Sequence, residues 1–157
     1  MNAKRNVTLR SAGPADAAAL ASLRFRLRSS VALVWEPEPE FLERCTGWMR
    51  ERLSPGGAWR CWLAEDDGTI VGSVWLQLFE KIPNPGEDAE FHGYVSNLYV
   101  VPSHRGAGLG ARLLEACLEA CGEGTVDKVI LWPTPESRTL YARHGFASRE
   151  EPFVRAL

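Results

Sequence analysis

The order of apolar runs predicts a single α/β domain, a mixed β-sheet flanked by about four helices. Three observations carry this. Segments 59–65, 70–79 and 91–101 are dense in aromatic and β-branched residues, as strands are. Leucines and other apolar residues recur at helical spacing at 20, 23 and 27 and again at 109, 113, 114, 117 and 118, each marking one buried helix face. Between the 91–101 strand and the second of those helices lies a glycine-rich turn, so the second half reads as βαβ, whereas tight turns make the first half antiparallel.

The elements follow in order. Residues 7–10, Val-Thr-Leu-Arg, alternate as a half-buried strand. Gly13-Pro14-Ala15-Asp16 opens a helix, with proline in the first turn and an acid on the dipole. Segment 29–40, with Pro37 and Pro39, interrupts it, and Leu42, Cys45, Met49 and Leu53 mark a second helix stopped by Pro55-Gly56-Gly57. Asp66-Asp67-Gly68-Thr69 is a hairpin turn between two strands. A polar loop over 83–88 precedes the 91–101 strand. After the glycine turn and its helix come a strand over 126–132, a short helix over 136–144 and a last strand from Phe146 onward. The whole chain, 1–157, is one domain, a size that one core accommodates.

Composition excludes several classes of function. Lys and Arg number 18 against 20 acids, which leaves no basic excess for a nucleic-acid footprint. No run approaches the roughly 20 apolar residues of a membrane span, and no apolar stretch follows the basic N-terminus. The expectation is a cytoplasmic protein with no nucleic-acid or membrane partner, with a homodimer open to it. Cys117 and Cys121 share a helix face and would need His104 or His144 beside them to hold a metal. No second ligand pair has the spacing of a tetrahedral site, so the four cysteines read as buried apolar side chains and no metal is expected.

The chemistry concentrates in Pro102-Ser103-His104-Arg105-Gly106-Ala107-Gly108-Leu109-Gly110-Ala111. Main-chain N–H groups at a helix start lack intrahelical acceptors, and the dipole adds positive charge, so the turn can hold a phosphate or pyrophosphate. Glycine lets the main chain approach the oxygens, and Arg105 can add a charge-assisted contact. Gly106-x-Gly108-x-x-Ala111 also matches the dinucleotide fingerprint, with Asp127 near the ribose-binding offset. Residues 102–105 separate strand from glycines, however, and only 46 residues follow Ala111, too few for a doubly wound sheet.

Strand, Arg105-Gly106-x-Gly108-x-Gly110 and amphipathic helix together resemble the acyl-donor motif of the GCN5-related N-acetyltransferase (GNAT) family. Leu140-Tyr141-x-x-x-Gly145-Phe146 resembles that family's second motif, and the opening over 8–16 has its usual first strand and helix start. The resemblance implies acetyl-coenzyme A as the cofactor, on a sheet splayed at the cofactor strand. Its pyrophosphate would rest on Arg105, Gly106, Ala107, Gly108, Leu109, Gly110 and Ala111, with Ser137 nearby. Its pantetheine arm would run along Leu98, Tyr99, Val100 and Val101. A main-chain N–H near Leu98 would stabilise the oxyanion, and Tyr141 would protonate the departing thiolate; the other reading of Tyr141 is aromatic packing.

At the base, the sequence departs from the family pattern. Many relatives carry Glu at the positions of Tyr94 or Ser96. Alternation puts His92, Tyr94 and Ser96 on one strand face, with Glu90 just beyond. His92 is therefore the candidate base, directly or through water, since histidine titrates near neutrality; equally, it is a strand-end histidine with no role. Trp35 and Trp75 would wall the acceptor pocket, Glu36 would attract a cationic amine, and Tyr94 and Ser96 would line it. Alternatively, the tryptophans pack in the core and Glu36 is solvated. Three functions fit: a small-molecule amine N-acetyltransferase, a protein or peptide N-acetyltransferase, and a non-catalytic acyl-coenzyme A sensor.

Overall fold

A computed structural model describes residues 6–32, 35–86, 89–122, 126–148 and 155. Five strands, β1 (Val7–Ser11), β2 (Trp59–Asp66), β3 (Thr69–Glu80), β4 (Phe91–Val100) and β5 (Val126–Ile130), lie in one sheet in sequence order. β1 to β4 are antiparallel and β5 runs parallel to β4. The helices are α1 (Ala17–Ser30), α2 (Glu38–Arg52), α3 (Leu109–Glu119) and α4 (Arg138–Arg143). The mixed α/β domain expected from the sequence is what forms.

The sheet separates two layers. α3 buries Leu109, Leu113, Leu114 and Cys117 on one face, where they join Val74, Leu76 and Val95 in the core. On the other face Leu20 and Leu23 of α1 lie over Ser73, Trp75 and Tyr99, and α2 packs alongside α1. Arg10 on β1 ties this layer down through Asp16 (2.9 Å) and Glu65 of β2 (2.9 Å). Among the described residues no helix is long and apolar enough to cross a membrane.

Several boundaries differ from the expectation, each for a local reason. α2 starts at Glu38 rather than after residue 40, because Pro39 falls in the first turn, where its missing N–H costs nothing. α1 is entered through a 3-10 turn, Pro14–Asp16, whose Asp16 carboxylate accepts the Gly13 N–H (2.9 Å). β5 stops at Ile130 instead of 132. Residues 146–148 form no strand, and most of the last strand expected from Phe146 onward lies outside the described residues.

Two features of β4 open and shape a cleft beside it. Its pairing with β5 covers only Phe91 to Tyr94; β5 ends at Ile130, opposite Tyr94, and leaves the rest of that β4 edge without a strand partner among the described residues. Against β3, Trp75 pairs with Ser96 and Ser73 with Tyr99, two steps on β3 against three on β4. The extra residue is a β-bulge at Asn97, in the left-handed region at φ 55°, which asparagine tolerates better than most. The bulge inverts the alternation, so Tyr94, Ser96 and Tyr99 all project toward α1 and α2.

Candidate active site

A cleft of about 960 Å³ opens between α1 and α2 on one side and the splayed edge of β4 with the α4 end on the other. The side expected to hold the cofactor can be built from its residues upward. Val101 and Pro102 end β4 and lead through a 3-10 turn, Pro102–His104, into the glycines. Gly106 (φ 81°) and Gly108 (φ 75°) both adopt left-handed backbone, which a side chain resists by about 1–2 kcal/mol. A Cβ at either would meet nothing within 4 Å. Glycine is thus required here first by backbone conformation, and the exposed turn keeps room for a group laid against it. No side chain caps α3. The N–H groups of Leu109, Gly110 and Ala111 therefore present an anion site reinforced by the helix dipole.

The open edge leads from this turn into the cleft. Val101 N–H donates to Val71 O (2.9 Å), which commits it to β3; by alternation the main chain of Val100 and Leu98 faces outward. Arg105 folds back on this edge. Its Nε donates to Val100 O (2.8 Å) and its guanidinium lies 5.5 Å from the centre of the Tyr99 ring. Leu98, Tyr99, Val100, Arg105 and Ser137 all border the cleft. The Ser137 hydroxyl is engaged in closing its own turn, accepting Thr134 N–H (2.9 Å) and donating to Thr134 O (3.0 Å).

Tyr141 sits where the two parts meet and lines the cleft. Phe146 N–H donates to Tyr141 O (3.1 Å) and Gly145 N–H to Ala142 O (3.1 Å), with Gly145 at φ 84°. This is a Schellman ending of α4, and the two residues it brings together, Tyr141 and Phe146, stack edge to face at 5.8 Å. The spacing of Tyr, Gly and Phe in the second motif therefore has a structural cause. Burial also pushes the Tyr141 phenol above its ordinary value of 10.0, so at neutral pH it carries its proton.

Of the residues expected to line an acceptor pocket, Trp75, Tyr94 and Ser96 border the cleft. Trp35 and Glu36 do not: Trp35 is 85% exposed, and Glu36 is paired with Arg44 at 2.5 Å, which holds its carboxylate below the usual range. Their place is taken by Trp48 and Trp59, which cluster with Trp75 at centroid separations of 5.1 to 6.2 Å, and by Arg24 and Arg28. Trp48 was legible only as one turn beyond Cys45 on α2; Arg24 and Arg28 gave no signal beyond their i, i+4 spacing. His92 and Glu90 do not border the cleft. His92 shares the Tyr94 face, but its ring packs on Phe79 (5.4 Å) and its Nδ1 is 3.7 Å from Asp127. Glu90 is exposed beyond the strand. His104 is held by Asp66 (2.8 Å) and His144 by Leu140 O (2.8 Å), so neither stands beside Cys117 and Cys121. Among the described residues no three metal-binding side chains cluster.

A family model described as "Acetyltransferase (GNAT) family" matches residues 27–146, from α1 through the second motif. The chain belongs to the GNAT family. It is 35% identical over 83 residues to the glucosamine 6-phosphate N-acetyltransferase of Trypanosoma brucei brucei, covering 53% of this chain and 54% of that protein. It is also 35% identical over 94 residues to an uncharacterized N-acetyltransferase of Archaeoglobus fulgidus, 56% of each chain. The chain thus spans about half the length of these curated relatives. Among solved structures, a predicted acetyltransferase from Clostridium acetobutylicum with acetyl-CoA superposes with a TM-score of 0.80 at 22% identity, covering 96% of both chains. At that identity the likeness is one of fold. The family match spans the glycine turn, β4 and the Schellman-ended α4.

Proposed function

We propose that this GNAT protein transfers an acetyl group from acetyl-CoA to the primary amine of a small molecule by direct attack on the thioester. The observation that carries the reading is that one cleft is bordered by Arg105 beside the glycine turn, by the β4 edge, by Tyr141 and by the aromatic wall. Relatives named for acetylation of glucosamine 6-phosphate support a small amine as the acceptor class.

Acetyl-CoA supplies an activated acyl group whose thioester carbonyl already accepts nucleophiles. The chain's residues supply the rest. Main-chain N–H groups of 106–111 neutralise pyrophosphate charge. Leu98 and Val100 extend the sheet edge to the pantetheine amides. Tyr141, protonated at neutral pH, gives its hydroxyl proton to the leaving sulfur. With no carboxylate on the β4 face of the cleft, and with His92 and Glu90 outside it, the amine's proton leaves through water, by way of Tyr94 and Ser96, with His92 as the remote acceptor. Alignment of the neutral amine against the carbonyl provides much of the acceleration.

Release of free thiol from acetyl-CoA, followed over a panel of small amines and peptides, tests the proposal. Acceptor-dependent thiol release matched by N-acetylated product is expected. Tight acetyl-CoA binding with no release on any amine would support a sensor instead, and activity confined to peptides would reassign the acceptor. His92→Gln tests the relay: loss of the acidic limb of the kcat/KM profile is expected, and an unchanged limb would leave the proton with solvent.

A further inference from the structure

Arg24 and Arg28 are one helical turn apart on α1, both half-buried and both lining the cleft. Like charges at i, i+4 repel, and burial together with Arg28 lowers the tendency of Arg24 to hold its charge. Two more exposed arginines are paired with acids, Arg10 with Asp16 and Glu65 and Arg44 with Glu36. Among the described residues neither Arg24 nor Arg28 is in an ion pair. Arg24 donates instead to the neutral side-chain oxygen of Asn97 at the β4 bulge, beside the point where the sheet opens. Among the described residues Glu136, next to Ser137, is the one acid bordering the cleft. Trp48, Trp59 and Trp75, with Met49 and Leu27, line the same cleft as the arginines.

Resting on the acetyl-transfer reading, we propose that the acceptor is an amine that carries an anion, a carboxylate or a phosphate-like group, on a flat apolar body. Arg24 and Arg28 receive the anion, and the three tryptophans cover the body. The anion offsets the repulsion between the two guanidiniums and takes charge-assisted hydrogen bonds in a half-buried setting, where each is strong. The glycine turn is separate from these arginines, since none of residues 106–111 borders the cleft that Arg24 and Arg28 line.

The test compares five amines on the CoA-loaded protein by calorimetry, and on the acetyl-CoA-loaded protein by initial rates. They are phenylalanine, its α-phosphonate analogue, 2-phenylethylamine, glucosamine and glucosamine 6-phosphate. The anionic aromatic amines are expected to outperform 2-phenylethylamine by about tenfold or more, the scale of one charge-assisted contact, and to outperform glucosamine 6-phosphate. Arg28→Met and, separately, Arg24→Met should each collapse the first ratio to within about threefold while acetyl-CoA affinity is retained. Equal performance of phenylalanine and 2-phenylethylamine, preference for the phosphosugar, no binding by any of the five, or a ratio that survives both substitutions would overturn the proposal. So would loss of acetyl-CoA affinity in Arg28→Met, which would assign the arginines to the cofactor. Calorimetric preference for the anionic aromatics without acetylation of any amine would uphold this inference and sink the transfer reading alone.

Discussion

The Tyr141 ring packs edge-on against Phe146 and helps end α4, and the same residue borders the cleft at the splayed edge of β4. The sequence presented packing and catalysis as alternatives, but the Schellman geometry makes them compatible, because the ring and the hydroxyl are different parts of one side chain. Tyr141→Phe keeps the ring contact. It is expected to leave the melting temperature nearly unchanged and to lower kcat by roughly 10²-fold, within the usual range for a lost proton donor. Steady-state rates beside a thermal melt check this, and unchanged turnover with chemistry rate-limiting would return Tyr141 to packing alone. Trp35 and Glu36 show where residue-level reading stops. A tryptophan near a pocket segment is indistinguishable in sequence from one that faces solvent. The charge of Glu36, in turn, is neutralised by Arg44, eight positions away on the next helix.

At the scale of elements, the α3 terminus carries the clearest consequence. Gly108 combines left-handed backbone with the approach side of the anion site. Gly108→Ala adds backbone strain of about 1–2 kcal/mol with no charge, so it should destabilise the fold while preserving stabilisation by acetyl-CoA. Gly108→Glu adds a carboxylate as well and should abolish that stabilisation. Thermal melts with and without acetyl-CoA separate the two effects. The α3–α4 contact makes a pH prediction. The His144 ring is held by Leu140 O and by Glu115 on α3 (3.2 Å), and these raise its affinity for a proton above the ordinary 6.5, with the Leu140 bond the larger effect. A raised folded-state value stabilises the fold below the unfolded value and loses that contribution as pH rises through the folded one. The melting temperature should therefore fall as pH rises from about 6 through the higher folded-state value, and His144→Gln should flatten that slope. Element order, the hairpin at 66–69 and the glycine turn were legible because each rests on local sequence. The Asn97 bulge was not, since it is defined by register against β3 and a single asparagine in a strand does not announce it. It nonetheless decides that Tyr99 joins Tyr94 and Ser96 on the cleft side.

For the molecule as a whole, the proposed function rests on one sheet whose β4 leads into the glycine turn and borders a cleft walled by tryptophan and arginine. The frame proposed to bind the donor was readable because its requirements, left-handed glycines, an uncapped helix and a helix-ending motif, are written at fixed spacings. The wall proposed for the acceptor was not, because Arg24, Arg28, Trp48 and Trp59 come from three elements and meet only in the fold. Binding at the frame should stabilise the whole domain by mass action, about 2.7 kcal/mol at acetyl-CoA concentrations 100 times Kd. Binding alone does not distinguish an enzyme from a sensor. The most direct measurement is acceptor-dependent thiol release, run with wild-type protein and Tyr141→Phe against the same amine and with N-acetylated product quantified alongside. The expected result is one thiol per N-acetyl product, abolished without amine and slowed roughly 10²-fold in the variant. Full occupancy by acetyl-CoA with no amine-dependent thiol release across small amines and peptides would contradict acetyl transfer.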